Sequence, residues 1–274
     1  MRLADKADMP KIVEIWRQSF GDTTEEIQGF FNAFSDNVQT FLEEEEGQIA
    51  GQLCLLPISI HFPNKNSRPL FYIYAVATAG AQRGRGICTR LLSETVRWLK
   101  KEKKGALLVP AEESLVSFYE KRAFTCLFPK KEISVKASEN KPCEGIPVLE
   151  PIDAAEYQRL RKKGFENAFY VELPGAYLNY AISQHKNAGG SLARLSFDNK
   201  EYGVLYTLPD GAEGTAVSIQ EITAPEDGEA VCAARALLFT LSKREAILKR
   251  SYPVMGVELP DFACKDGYFN LVLD

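Results

Sequence analysis

The stretch Val76-Ala-Thr-Ala-Gly-Ala-Gln-Arg83-Gly84-Arg85-Gly86-Ile87-Cys88 decides how the chain is read. To its left, Pro69 to Thr78 is a continuous run of aromatic, β-branched and small apolar residues, the pattern of a strand buried on both faces. To its right, Ile87 to Lys101 places apolar residues at helical spacing. Cys88, Leu91, Leu92, Val96 and Leu99 make an inner stripe; Arg90, Glu94, Arg97 and Lys101 make an outer one. Glycines in the turn between them let the backbone curl closely around a ligand without Cβ clashes. The helix start leaves four N–H groups unpaired and carries a partial positive charge. Together these cradle a phosphate or pyrophosphate, and Arg83 and Arg85 add charge at the rim.

Two common phosphate loops do not fit. A dinucleotide-binding turn needs a third glycine where Thr89 stands, and an acid at the end of the next strand, Ala106 to Val109, which offers none. A Walker loop needs a lysine directly after its last glycine. Working outward, Asp8 reads as the cap of a helix with Pro10 in its first turn, and Ile12, Val13, Trp16 and Phe20 on one face. Thr23 or Thr24 caps a second helix through Ile27, Phe30, Phe31 and Phe34. Thr40 to Phe62 reads as a hairpin turning near Glu46-Gly47, with the acidic run Glu43 to Glu46 as its solvated tip. Downstream, Ala106 to Val109 is a strand, Ser114 caps a helix carrying Leu115, Phe118 and Tyr119, and Thr125 to Val135 is extended. Strand, helix and strand with short connections make a parallel pair with a right-handed crossover. The earlier strands arrive by hairpin, so the sheet is mixed.

Lys136 to Pro147 is polar, with two prolines and a glycine, and reads as a linker. The second half repeats the order: helices over Ala154–Lys163 and Gly175–His185, a hairpin over Ser191–Leu208, a strand over Val217–Ala224, a helix over Gly228–Lys243 and a strand-like end from Tyr268. A gapless shift of about 146 residues lays Val76-Ala-Thr78 on Ile222-Thr-Ala224 and turns Arg83, Gly84 and Gly86 into Glu229, Ala230 and Cys232. The predicted architecture is α/β with two domains, each a mostly antiparallel mixed sheet around one parallel βαβ unit: 1–135, a linker over 136–147, and 148–274. Only the first is expected to keep the anion cradle.

The bulk composition is that of an ordinary globular chain of 274 residues, 45% hydrophobic and 26% charged. Lys+Arg 33 against Asp+Glu 37 leaves −4, so no basic excess is available to neutralise nucleic-acid phosphates. The uncharged run Pro69 to Gln82 is shorter than the roughly 20 residues a membrane span needs, and the opening residues lack the apolar core of a secretion signal. Six scattered cysteines without a Cys-x-x-Cys pair, and only His61 and His185, argue against a metal and for a reduced, cytoplasmic setting.

The run from Val76 to Leu92, preceded by two helices and a hairpin and followed by Phe118-Tyr-Glu-Lys-Arg-Ala-Phe124, resembles the GNAT acyltransferase superfamily. The whole chain is similar to its tandem members of the enhanced-intracellular-survival type. The sterol-carrier-like third domain of the larger ones is not expected, since the chain stops at Asp274. Two positions depart from the usual pattern: Cys88 and Ala123 stand where glycine is common. The resemblance implies acetyl-CoA as co-substrate and no metal. It also implies an amine acceptor, small-molecule or peptide, with no nucleic acid or membrane partner. Val76 and Thr78 would pair with the pantetheine arm, the N–H near Val76 would polarise the thioester carbonyl, and Arg83, Gly84, Arg85, Gly86, Ile87 and Cys88 would hold the pyrophosphate. Tyr119 would protonate the leaving thiolate, and Asp274, as a C-terminal carboxylate, or Asp22, Glu25 or Glu26 would relieve the amine of its proton. A helix N-terminus tends to lower a thiol pKa, which makes an acyl-Cys88 conceivable, but direct transfer needs none. A non-catalytic acyl-CoA sensor or scaffold and a nucleotide-binding α/β protein explain the same loop and stand as alternatives.

Overall fold

The computed structural model describes residues 1–63, 66–138 and 145–259. In chain order the elements are β1 (Arg2–Leu3), α1 (Met9–Phe20), α2 (Thr24–Phe34), β2 (Gln39–Glu45), β3 (Gln48–His61), β4 (Ser67–Thr78), α3 (Ile87–Lys101), β5 (Gly105–Leu108), α4 (Val116–Glu120) and β6 (Thr125–Phe128). There follow β7 (Lys131–Lys136), β8 (Val148–Pro151), α5 (Ala154–Gly164), β9 (Tyr170–Glu172), α6 (Gly175–Asn187), β10 (Ser191–Phe197), β11 (Lys200–Thr207), β12 (Ala216–Ile222), α7 (Asp227–Leu241), β13 (Glu245–Ser251) and β14 (Val254–Val257). Half of the linker expected over 136–147, residues 139–144, and the strand expected from Tyr268 lie outside the described residues.

Two mixed sheets organise two units. The first runs β1-β2-β3-β4-β5-β14-β6 and the second β7-β13-β12-β11-β10-β8. Each holds a parallel pair, β4 with β5 across α3 and β12 with β13 across α7. The cut expected at 135/136 does not follow the packing. β7 pairs antiparallel with β13, Val135 facing Ala246, so it belongs to the second sheet. In return β14 pairs antiparallel with β5, Met255 facing Leu108, and closes the first. Alternation alone cannot tell which sheet a six-residue strand will join, because either core satisfies its inward side chains.

Local chemistry explains the elements. The turn at Glu46-Gly47 has both residues at positive φ, 51° and 76°, the two-residue geometry that matches strand twist. Thr23 caps α2 through Glu26 N–H while Glu26 reaches back to Thr23, a reciprocal capping box. Asp8 precedes α1 but spends its carboxylate on Arg2 and on Asp5 N–H instead of capping. Ser114 sits in a 3-10 turn before α4 and bonds Glu112, so it does not cap a longer helix. The first core gathers Phe41, Leu53, Leu55, Phe71, Ile73, Leu91, Leu92 and Leu99, and also Met255 and Val257 from β14. At about 25 cal/mol per Å² of buried apolar surface, such a cluster is the dominant favourable contribution. α3 comes close to β3 at Gly51: a Cβ there would lie 2.7 Å from Ile87 Cγ2. Ile87 is the first residue of α3, so the helix start sits where position 51 has no side chain.

Candidate active site

β4 and β5 pair at Leu70↔Gly105, Phe71↔Ala106 and Tyr72↔Leu107. β5 ends one residue later, whereas β4 runs on to Thr78. The overhang is kinked at Ala75, a buried non-glycine residue with φ 51°. Left-handed backbone costs an L-residue roughly 1–2 kcal/mol and breaks a regular ladder. Val76 and Thr78, both half-buried, follow that kink.

The turn continues from the overhang. Ala79 N–H bonds Ala50 O at 2.9 Å, a short 3-10 turn covers Gly80–Gln82, and Gly84 and Gly86 take φ 78° and 76°. A Cβ at either glycine would meet nothing within 4 Å, so the space above them is open while the backbone conformation still demands glycine. Gly86 is the N-cap of α3 and offers no side-chain cap. Among the described residues, the N–H groups from Gly84 to Thr89 meet no acceptor. Arg83 and Arg85 are exposed at the rim, with Arg83 Nε 3.5 Å from Thr78 O. Arg83 N–H bonds Gly80 O at 3.4 Å, so the run of N–H groups without an acceptor begins at Gly84.

Arg90, read as an outer-stripe residue, has a larger part. Its Nη1 donates to Arg85 O at 3.1 Å, its Nε to Glu43 at 3.1 Å, and its Nη2 to Glu45. Glu44 pairs with Arg2 at 2.8 Å. The acidic run is thus only in part a solvated tip: Glu44 and Glu46 are exposed, whereas Glu43 is 8% exposed and, with Glu45, anchors α3 and its loop through Arg90. A same-sign cluster in sequence gives no warning that its counter-charge lies on a helix over forty positions away.

Tyr119 is buried within the first core, its ring 5.7 Å from that of Phe124. Among the described residues its hydroxyl has no hydrogen-bond partner. Burial, with Cys88 adding to it and the Arg122 charge opposing it, pushes the phenol up to about 12. Cys88 departs from expectation. Burial overrides the helix start and the pull of Arg122, and raises the thiol to about 11. Of the carboxylates near the first helices, Asp22 accepts from Trp16 Nε1 at 2.7 Å, and Glu26 is held low by its backbone and hydroxyl bonds to Thr23. Asp274 lies outside the described residues. His61 stacks near Tyr170, ring centroids 5.1 Å apart. Among the described residues no group of three or more His, Cys, Asp or Glu could hold a metal.

Residues 1–126 match the family model described as an acetyltransferase (GNAT) domain. The match spans β1 to α4 and the start of β6. No curated protein matches the chain. Solved structures of the same fold include a conserved protein from Enterococcus faecalis V583 described as a "Probable N-Acyltransferase", with a TM-score of 0.73 and 15% identity over 93% of this chain and 71% of that one. A GCN5-related N-acetyltransferase from Anabaena variabilis scores 0.70 at 14% identity, covering 92% and 71%. Eis1 from Mycobacterium abscessus scores 0.67 at 14% identity, covering 90% of this chain and 64% of its own. At these identities the likeness is one of fold.

The second unit repeats the strand order of the GNAT domain without its loop. Residues 79–86 separate β4 from α3, but only 223–226 separate β12 from α7. The gapless shift therefore fails at this point: α7 begins at Asp227, before the positions aligned with the two glycines. Asp227 is tied to Lys131 and Arg250, and Glu229 to Lys200 and Tyr202. The equivalent helix start is occupied by carboxylates that already hold cations.

Proposed function

We propose that the chain is an acetyl-CoA-dependent N-acetyltransferase that moves an acetyl group directly from CoA to a primary amine. The observation that carries this is the run of unpaired N–H groups from Gly84 to Thr89, under open space and beside a strand overhang with no partner in β5. Preorganised donors of this kind cost no reorganisation when an anion arrives. In this reading Arg83, Gly84, Arg85, Gly86, Ile87 and Cys88 hold the pyrophosphate, and the backbone of Val76 and Thr78 pairs with the pantetheine arm as an added strand. Bound acetyl-CoA supplies an acyl group activated on sulfur.

The chain supplies a proton donor. A phenol near 12 is neutral at every physiological pH and stays able to donate. Handing its proton fully to a thiolate of ordinary pKa, about 8.5, runs uphill by something on the order of 5 kcal/mol. Tyr119 is therefore read as an acid that releases its proton only while the sulfur charge develops. Asp274 is retained as a proposed base. Asp22 and Glu26 have structural partners of their own. We place the enzyme in the cytoplasm on its scattered cysteine spacing. The second unit is read as a GNAT fold without a cofactor site, completing a tandem pair.

A panel of primary amines, including an aminoglycoside, a peptide amine and a polyamine, incubated with acetyl-CoA and read as free thiol, tests the proposal. Amine-dependent thiol release that falls at least about 10²-fold in Tyr119→Phe supports it. Tight acetyl-CoA binding with no release across the panel would instead favour a sensor.

A further inference from the structure

The reaction as proposed uses Tyr119 and the loop but not the cation that lies between them. Arg122 occupies the turn after α4, where its own N–H bonds Tyr119 O at 2.8 Å. The chain then reverses through Ala123 at φ 68°, and the Arg122 side chain folds back. Its guanidinium carbon sits 3.5 Å over the Phe118 ring. Nη1 donates to Phe118 O, and Nη2 donates to Thr89 Oγ1. Thr89 belongs to the first turn of α3, the same turn that ends the donor surface. One guanidinium thus joins the short helix bearing the phenol to the helix bearing the cradle.

A five-residue helix is too short to hold its own place in water. Its position comes from what it is tied to. Arginine suits such a tie, since its planar fork makes several directed bonds from one rigid group and stacks on aromatic faces. Arg122 Nε is buried without a partner, so the side chain is held there at a desolvation cost that a purely structural apolar residue would not carry. Its charge also acts on both Cys88 and Tyr119, opposing the effect of burial on each.

We propose that Arg122 is a positioning residue for the transfer: it clamps the turn after α4 to the first turn of α3 and so holds the Tyr119 hydroxyl against the sulfur of bound CoA. This rests on the acetyltransferase reading. In the step it supports, the amine nitrogen forms a bond to the acyl carbon and the carbon–sulfur bond breaks. The Tyr119 O–H proton passes to sulfur, and the proton shed by the amine restores the phenol through solvent or a base. Arg122 keeps the donor in reach without exchanging a proton itself.

The readout needs no acceptor: the pKa of the thiol of CoA bound to the full chain, followed by thiolate absorbance against a desulfo-CoA complex. A phenol donating to sulfur favours the thiolate and lowers that pKa. Arg122→Met is expected to weaken thiol ionisation about tenfold, with CoA affinity within about threefold. Thr89→Val, which keeps the charge but removes its anchor, is expected to move it part of the way; Arg122→Lys falls between wild type and Arg122→Met. In a Tyr119→Phe background, Arg122→Met is expected to add nothing, because the effect runs through the phenol. The inference is overturned if Arg122→Met and Thr89→Val leave the thiol at its wild-type value. It is equally overturned if the full tenfold change persists on top of Tyr119→Phe, which would make Arg122 a direct field on sulfur. If Tyr119→Phe itself leaves the thiol unchanged, the placement of the phenol fails first, and that result is separable from the other two. Should Arg122→Met not fold, Thr89→Val and Arg122→Lys decide the same question.

Discussion

At the residue scale, the two departures from the usual glycine pattern have different physical outcomes. Ala123 takes the left-handed conformation that glycine adopts freely, with φ 68°. Relief of that strain outweighs the extra freedom glycine gives the unfolded chain, so Ala123→Gly is expected to stabilise by about 0.5–1 kcal/mol. Thermal unfolding should show a rise in Tm of about 1–4 °C; a fall would mean the alanine methyl is packed usefully. Cys88 was expected to be acidified by the helix start, and the structure reverses this because the thiol is largely buried. With a pKa near 11, only about one in a thousand such thiols is ionised at pH 8. Iodoacetamide at pH 8, followed by mass spectrometry, should label the exposed Cys126 and Cys232 at least about tenfold faster than Cys88. Faster labelling of Cys88 would reopen an acyl-cysteine route. The sequence could point to Gly84 and Gly86 through the turn between strand and helix, and to Tyr119 through the family resemblance. It could not point to Arg90, Arg122 or Thr89, whose contacts reach up to 33 and 47 positions along the chain.

At the element scale, periodicity and turn chemistry were legible where one face is buried and one is wet. The expected span Ile87 to Lys101 is α3 as found, and Ala154, Gly175 and Ser191 each begin the expected element. Strand partnership was not legible. β7 and β14 are short and follow their predecessors closely, and nothing in their residues states that each completes the sheet of the other unit. The consequence is testable in β14. Met255 is 1% exposed and packs in the core that contains Tyr119 and Phe124, although it lies in the last quarter of the chain. Met255→Ala is expected to destabilise that core by about 2–5 kcal/mol, the usual range for deleting a buried methionine side chain. Urea unfolding followed by the fluorescence of Trp98, after Trp16→Phe, would read it. A change below about 1 kcal/mol would mean that β14 contributes little to the first unit.

At the scale of the whole molecule, the second half keeps the strand order without the glycine turn. The repeated order of elements was legible in the sequence, and so was the lack of the two glycines in the second half. The shortened 223–226 connection was hidden, because a gapless shift carries no information about deletions in loops. The carboxylates at the start of α7 are committed to Lys131, Arg250 and Lys200, where the start of α3 has open glycine backbone.

The proposed function requires a single acyl-CoA site, at the Gly84–Thr89 turn. Calorimetric titration of the intact chain with acetyl-CoA measures this directly, set beside a Gly84→Val/Gly86→Val variant whose fold is checked by circular dichroism. The predicted result is one equivalent bound per chain and no binding in the variant. Two equivalents per chain, or one equivalent retained by the folded variant, would contradict it.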